Sequence, residues 1–221
     1  MQPVVDVICI GQLSRNEFWN ESQPVRPPLA TTALTRAGGT NILVDPALPG
    51  QAMAQALHQR SGLRPADIDI VFLTNFHPTH RRGLEIFDEA TWLLHQTERD
   101  AVAEHLNSLL ESTETGSADA VEAELALLGR TEPAPDELAA GVQLFPSPGP
   151  TPGSCALLVV ALRTIVVAGD AVLTGDYYDH ARVYEQSADA EQAAASLAEI
   201  HEIADIIVPG HDNLLVTGGL L

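Results

Sequence analysis

Apolar residues along this chain fall into two recurring arrangements: short β-branched runs, and pairs or triplets spaced one helical turn apart. Val4–Ile10, Ala30–Arg36 and Asn41–Val44 read as strands. Gly38-Gly39 between the last two predicts a hairpin. Asp45-Pro46-Ala47-Leu48-Pro49-Gly50 breaks the sheet, and Met53 with Leu57 predicts a helix over about 51–60. Arg64-Pro65-Ala66-Asp67 predicts a helical turn leading into a strand at Ile70–Thr74, with a further strand at Thr91–His95. Val102, Leu106 and Leu109 then share one face of a helix from Gln96 to about Leu110.

Residues 111–140 break the pattern. They are acidic, interrupted by Gly116, Pro133 and Pro135, and carry Arg130 as their one basic residue. A helix is expected around Ala118–Leu128, and the rest reads as a surface excursion or lid with too little apolar content for its own core. Strands resume at Val142–Phe145, Ser154–Val160 and Thr164–Ala168. Ser187 precedes a helix through Ala204, with Ala193, Leu197, Ile200 and Ala204 on one face, and a final strand, Ile206–Val208, ends at Pro209-Gly210-His211. Strands first and strand–helix alternation afterwards, twice over, predict a layered α/β fold in one domain spanning 1–221.

Composition narrows the function classes. A chain of 221 residues with 45% hydrophobic content can bury a substantial core. The formal net charge is −19 and all 11 basic residues are arginine, a field that repels nucleic-acid backbones and anionic membranes. Arg81-Arg82 is the one candidate basic patch, expected at the exposed start of a helix. No apolar run has the length of a membrane span, and Met1-Gln2-Pro3-Val4-Val5-Asp6 lacks the basic start and apolar core of a signal peptide. The expectation is a cytoplasmic protein with a small-molecule substrate or ligand, without nucleic-acid or membrane partners. Cys9 and Cys155 are far apart among apolar neighbours and read as buried free thiols. The apolar tail Val216–Leu221 is a candidate docking element.

Four segments end an apolar strand in a loop that bears a candidate metal ligand: Thr74–His80, Ser147–Ser154, Gly169-Asp170 and Gly210-His211. Ligands on loops at strand ends borrow their precision from the sheet beneath. Imidazole and carboxylate donors suit zinc, and also iron or manganese. His95 sits at a strand end near the motif strand and reads as a supporting or buried structural histidine. His58, His105 and His201 fall on helices, where surface positions are expected. Asp176-Tyr177-Tyr178-Asp179-His180 is a candidate pocket wall or partner surface, with His180 an alternative ligand.

These segments resemble the metallo-β-lactamase superfamily, whose αββα four-layer sandwich holds one or two metals at the sheet edges. The family motif Thr-His-x-His-x-Asp-His matches Thr74, His77 and His80, with Asn75 in place of the first His and Thr79 in place of the Asp. The family's Thr-Pro-Gly-His-Thr-Pro-Gly appears as Ser147-Pro148-Gly149-Pro150-Thr151-Pro152-Gly153, so Pro150 replaces a ligand. Asp170 matches the carboxylate that bridges two metals, His211 the last histidine, and Asp45 an early buried support at a strand end.

The resemblance implies that the positions of Asn75, His77 and Pro150 make a first metal site, of which two residues are lost. It implies a second site at Thr79, His80 and His211, shared with Asp170, of which only Thr79 is lost. Three readings follow. The first is a mononuclear metal hydrolase with His80, Asp170 and His211 as ligands and His77 close by, cleaving an ester, thioester or related bond with metal-activated water. The second is a non-catalytic member, metal-free or not, that binds a ligand or partner. The third, a nucleic-acid-processing enzyme, is the least compatible with the charge.

Overall fold

The computed structural model describes residues 2–112 and 118–217. Two six-stranded sheets pack face to face between outer helices. The first contains β1 (Val4–Cys9), β2 (Thr32–Ala37), β3 (Thr40–Val44), β4 (Ile70–Leu73), β5 (Thr91–Leu94) and β6 (Glu132–Pro133), neighbouring one another in that order. The second runs β12 (Leu215–Val216), β11 (Ile206–Pro209), β10 (Thr164–Gly169), β9 (Cys155–Val160), β8 (Val142–Pro146) and β7 (Glu137–Ala139). Helices α1 (Gly50–Ser61), α2 (Gln96–Ser112) and α3 (Ala118–Gly129) accompany the first sheet, and the short α4 (Gly175–Asp179) and α5 (Ala190–Ile203) the second.

The central strands β4 and β9 are continuously apolar because both faces of their sheets are covered. In β4 the period-two alternation divides the work: Val71 and Leu73 face a core with Met53 and Leu57 of α1 and Leu106 of α2. Phe72 points the other way, into the layer between the sheets with Ile42, Val44, Leu157, Val159 and Val167. A third core joins Ala156, Val166 and Ile207 to Leu197 and Ile200 of α5. Phe72 is fully buried, and truncating such a side chain to alanine costs about 3–5 kcal/mol. α5 starts where it does because the Asp189 carboxylate accepts the amide hydrogens of Glu191 and Gln192.

β3, β4 and β5 are parallel, as are β10 and β11. Each run therefore ends at the same kind of edge, and the loops after β3, β4, β10 and β11 carry Asp45, residues 74–80, Asp170 and His211. The region 111–140 departs from the expected excursion. Beyond α3 it supplies β6, parallel to β5, and β7, antiparallel to β8, so it finishes one edge of each sheet. Pro133 is tolerated there because an edge strand leaves one side of its backbone unpaired. Residues 113–117 of that region and 218–221 of the apolar tail lie outside the described residues. The tail's first residue, Val216, pairs with Ile206 of β11. Leu109 is 38% exposed rather than packed on the α2 face. No described helix is long and apolar enough to cross a membrane.

Candidate metal centre

Asp45 ends β3 with a positive φ of 51°, a backbone state that costs a non-glycine residue energy and persists where its surroundings demand it. The demand comes from its carboxylate. Oδ1 accepts the Thr74 amide hydrogen at 2.9 Å, and Oδ2 takes the Thr74 hydroxyl at 2.7 Å. Oδ2 also lies 3.0 Å from Nδ1 of His80, a fully buried ring. A carboxylate in this role only accepts, so Nδ1 of His80 carries the hydrogen and Nε2 is turned toward Asp170 with its lone pair.

Asp170 and His211 arrive from the second sheet. Glycine is required at two places for the approach. A Cβ on Gly169, whose φ is +53°, would meet the Thr74 hydroxyl oxygen at 2.4 Å, and one on Gly210 would meet Asp170 Oδ1 at 2.8 Å. Nδ1 of His211 lies 2.8 Å from the Leu29 carbonyl, which can only accept, so here too Nε2 is left to face the centre. His80 Nε2 is 3.2 Å from Asp170 Oδ2, and His211 Nε2 is 3.0 Å from Asp170 Oδ1. The ligand atoms of His80, Asp170 and His211 all lie within 4.8 Å of one another.

Two lone pairs thus point at a carboxylate. Only a proton or a cation reconciles such a set. His80 Nε2 and Asp170 Oδ1 are buried polar atoms without a hydrogen bond, as unsaturated ligands are. In the metal-free protein the electrostatics supply the proton. Burial drives the His80 pKa down, but Asp170 and Asp45 outweigh it and the ring is pushed up to about 10. Burial likewise raises Asp170, and His80 and His211 reverse it to hold the carboxyl well below the usual range. The three donors fit a divalent ion, with Asp45 and the Leu29 carbonyl orienting the two rings from behind.

The other half of the expected site is wired differently. Asn75, fully buried, donates from Nδ2 to Asp170 Oδ2 at 3.0 Å and accepts the His77 amide hydrogen at 2.9 Å. His77 is not among the converging ligands; its Nδ1 lies 2.7 Å from the Thr79 hydroxyl and 3.3 Å from the Thr79 amide nitrogen. Burial and the neighbouring His80 lower its pKa. Pro150 contributes only a ring surface. A cavity of about 360 Å³ opens over the centre, lined by His77, Pro150, Asp170, His211 and Tyr184 among others, with no arginine in its wall.

Other sequence candidates take supporting places. His95 reaches the Gly153 carbonyl at 3.2 Å and so touches the Pro150 loop rather than the ligands. His180 is exposed, bonded to the Asp176 carbonyl and stacked on Phe18, away from the centre. Arg81 corrects the expectation of an exposed helix start. It is buried, bonds the Phe76 carbonyl, covers the Phe76 ring and pairs with Glu124 of α3, and no α-helix follows it. Among the thiols, Cys155 is buried and Cys9 half-buried, and both are free. The sequence reading missed Glu98. Its buried carboxylate accepts hydrogens from the Phe76 amide, the Thr151 hydroxyl and the Gly153 amide, clamping the motif loop to the Pro150 loop. An acid in the first turn of a helix is common for reasons of the helix dipole alone, so nothing marked it.

The model of the metallo-beta-lactamase superfamily matches residues 27–211, a span that includes every one of these strand-end loops. The chain belongs to this superfamily. Within it, the Xenopus laevis metallo-beta-lactamase domain-containing protein 1 is 30% identical over 184 residues, 79% of this chain and 67% of that protein. Solved structures share the fold at lower identity. A Thermotoga maritima protein assigned to the metallo-beta-lactamases superposes with a TM-score of 0.70 at 18% identity, over 98% of this chain and all of that one. AidC, a dizinc quorum-quenching lactonase solved with a product, superposes at 0.61 and 18% identity, over 78% of this chain and 67% of its own. The αββα sandwich expected from the sequence is thus the architecture of the superfamily.

Proposed function

We propose that this protein is a hydrolase working with a single divalent metal, zinc or a first-row neighbour, on His80, Asp170 and His211. The observation that carries the reading is the pair of imidazole lone pairs aimed at one carboxylate, each fixed by a hydrogen bond on the far side of its ring. An ion held there supplies a Lewis acid that polarises a scissile carbonyl and acidifies the attacking water. The chain supplies the rest. Asp45 and Leu29 hold the two rings in register. Asn75 donates a neutral amide hydrogen to Asp170 Oδ2 from the position where the family motif has a histidine ligand. That substitution supports one ion per chain where AidC has two zincs.

The cavity wall supports the substrate class. Leu13, Pro28, Leu173 and Tyr184 give it an apolar side, and no arginine is present to hold a phosphate. An uncharged ester, thioester or lactone suits it better than a phosphodiester, in keeping with the net charge of −19. Thr79 favours a second reading, a metal- or ligand-binding protein without turnover, because its hydroxyl cannot take a proton from water as a carboxylate does. One experiment separates them. Protein purified without an affinity tag is loaded with zinc, its metal counted after dialysis, and its hydrolysis of p-nitrophenyl acetate compared with that of Asp170→Ala. One ion per chain with turnover lost in the variant is the expected result. One ion without turnover selects the binding reading, and no retained ion removes the metal centre altogether.

A further inference from the structure

We propose that His77 is a catalytic hydrogen-bond donor, a neutral ring presenting Nε2–H to the oxyanion of an acyl substrate, with Thr79 as the positioning residue that sets its tautomer. This rests on the hydrolase reading above. His77 heads the short 3₁₀ turn Pro78–His80 and, as its cap, accepts the Thr79 amide hydrogen on Nδ1. An amide can only donate, so Nδ1 is the acceptor. The Thr79 hydroxyl, 2.7 Å from the same atom, adds a second hydrogen. With Nδ1 accepting from both, a neutral ring carries its hydrogen on Nε2. No group among the described residues hydrogen-bonds Nε2, and the exposed side chain lines the cavity over the centre.

The backbone holds the ring in place. Asn75 accepts the His77 amide hydrogen, and the same Asn75 bonds Asp170, so the donor and the metal-facing carboxylate share one rigid link. A fixed donor facing charge that appears only in the transition state is worth more than a mobile one, since no reorganisation is needed at the moment of reaction. Thr79 therefore does more than vacate a ligand position. A carboxylate at that position would accept from Nδ1–H and turn the ring's lone pair outward, whereas a hydroxyl and an amide donate to Nδ1 and turn the hydrogen outward.

Two measurements test this. Long-range ¹H–¹⁵N spectra of the metal-free and zinc-loaded protein, with the His77 ring signals assigned by their absence in His77→Gln, should show the Nε2–H tautomer. An Nδ1–H tautomer, or an Nδ1 shifted by zinc, overturns the proposal. Kinetics on zinc-loaded protein with p-nitrophenyl acetate should show kcat falling about a hundredfold in His77→Ala, with KM and zinc content unchanged. Thr79→Val should mix the ring tautomers and lower kcat by an intermediate factor, and Thr79→Ser should restore both. Loss of zinc in His77→Ala makes His77 a ligand and sinks the idea, as does an unaltered kcat. A parent that keeps zinc yet turns over no ester sinks the hydrolase reading and the donor's catalytic role with it, while the ring spectrum still decides the tautomer.

Discussion

The two halves of the candidate metal site have had opposite fates. His80, Asp170 and His211 keep the supports that a ligand needs, Asp45 behind one ring and the Leu29 carbonyl behind another. Asn75, His77 and Pro150 occupy matching positions on the other side. There the Asn75 amide and Nδ1 of His77 are drawn into hydrogen bonds, Pro150 offers no donor atom, and Nε2 of His77 is left without a partner among the described residues. Random decay would leave buried groups unpaired, at about 1–3 kcal/mol each. Instead Asn75 is satisfied at both ends of its amide and Thr79 at both its donors. The difference supports the proposal of a site rebuilt for one ion.

The largest expected effect separates the halves directly. At a metal concentration about a thousandfold above Kd, binding stabilises the fold by about 4 kcal/mol. A thermal melt with and without zinc should show that rise in the parent and none in Asp170→Ala, whereas His77→Ala should keep it. Equal responses in parent and Asp170→Ala would remove the ion from this site. Gly169→Ala should come next, destabilising by about 3 kcal/mol in urea unfolding, because its Cβ runs into Thr74 at a positive φ. Asp45→Asn should weaken zinc binding about 10- to 100-fold in a chelator competition while leaving one ion per chain. The smallest change tests the rebuilt half by undoing it: Asn75→His, Thr79→Asp and Pro150→His together should raise the count above one ion per chain. A triple variant that folds but binds no more metal than the parent would show that the positions no longer converge.

How far the sequence reached depended on whether a signal was local. Runs such as Ile70–Leu73 and Ile165–Ala168 are apolar throughout, so their strands and the loops that follow them were legible in the sequence. The resemblance at the strand-end motifs pointed to His80, Asp170 and His211 as candidates, and the fold brings their ligand atoms together. β6 was missed because Glu132-Pro133 is exposed and pairs with β5, distant in sequence, and β7 because its three residues, Glu137–Ala139, are too few to show an alternation before the tight hairpin to β8. α4 spans only five residues, too short for a periodicity. Arg81 reads as a surface cation in any sequence, and only the fold reveals Phe76 and Glu124 around it. Nor did residues 11–29 announce that Leu13 and Pro28 would wall the cavity.

The order of the strands has a further consequence. All six strands of the first sheet come from residues 4–133 and all six of the second from 137–216, so the chain passes between sheets once, at Ala134-Pro135-Asp136. Asp45 and His80 lie before that crossing, Asp170 and His211 after it. The centre is therefore a seam between two consecutive halves of the polypeptide: the first half brings one of the three candidate ligands, the second brings two, and neither half alone holds the set. Metal affinity becomes a gauge of docking: two fragments cut at the crossing should bind zinc weakly apart and tightly once reassembled.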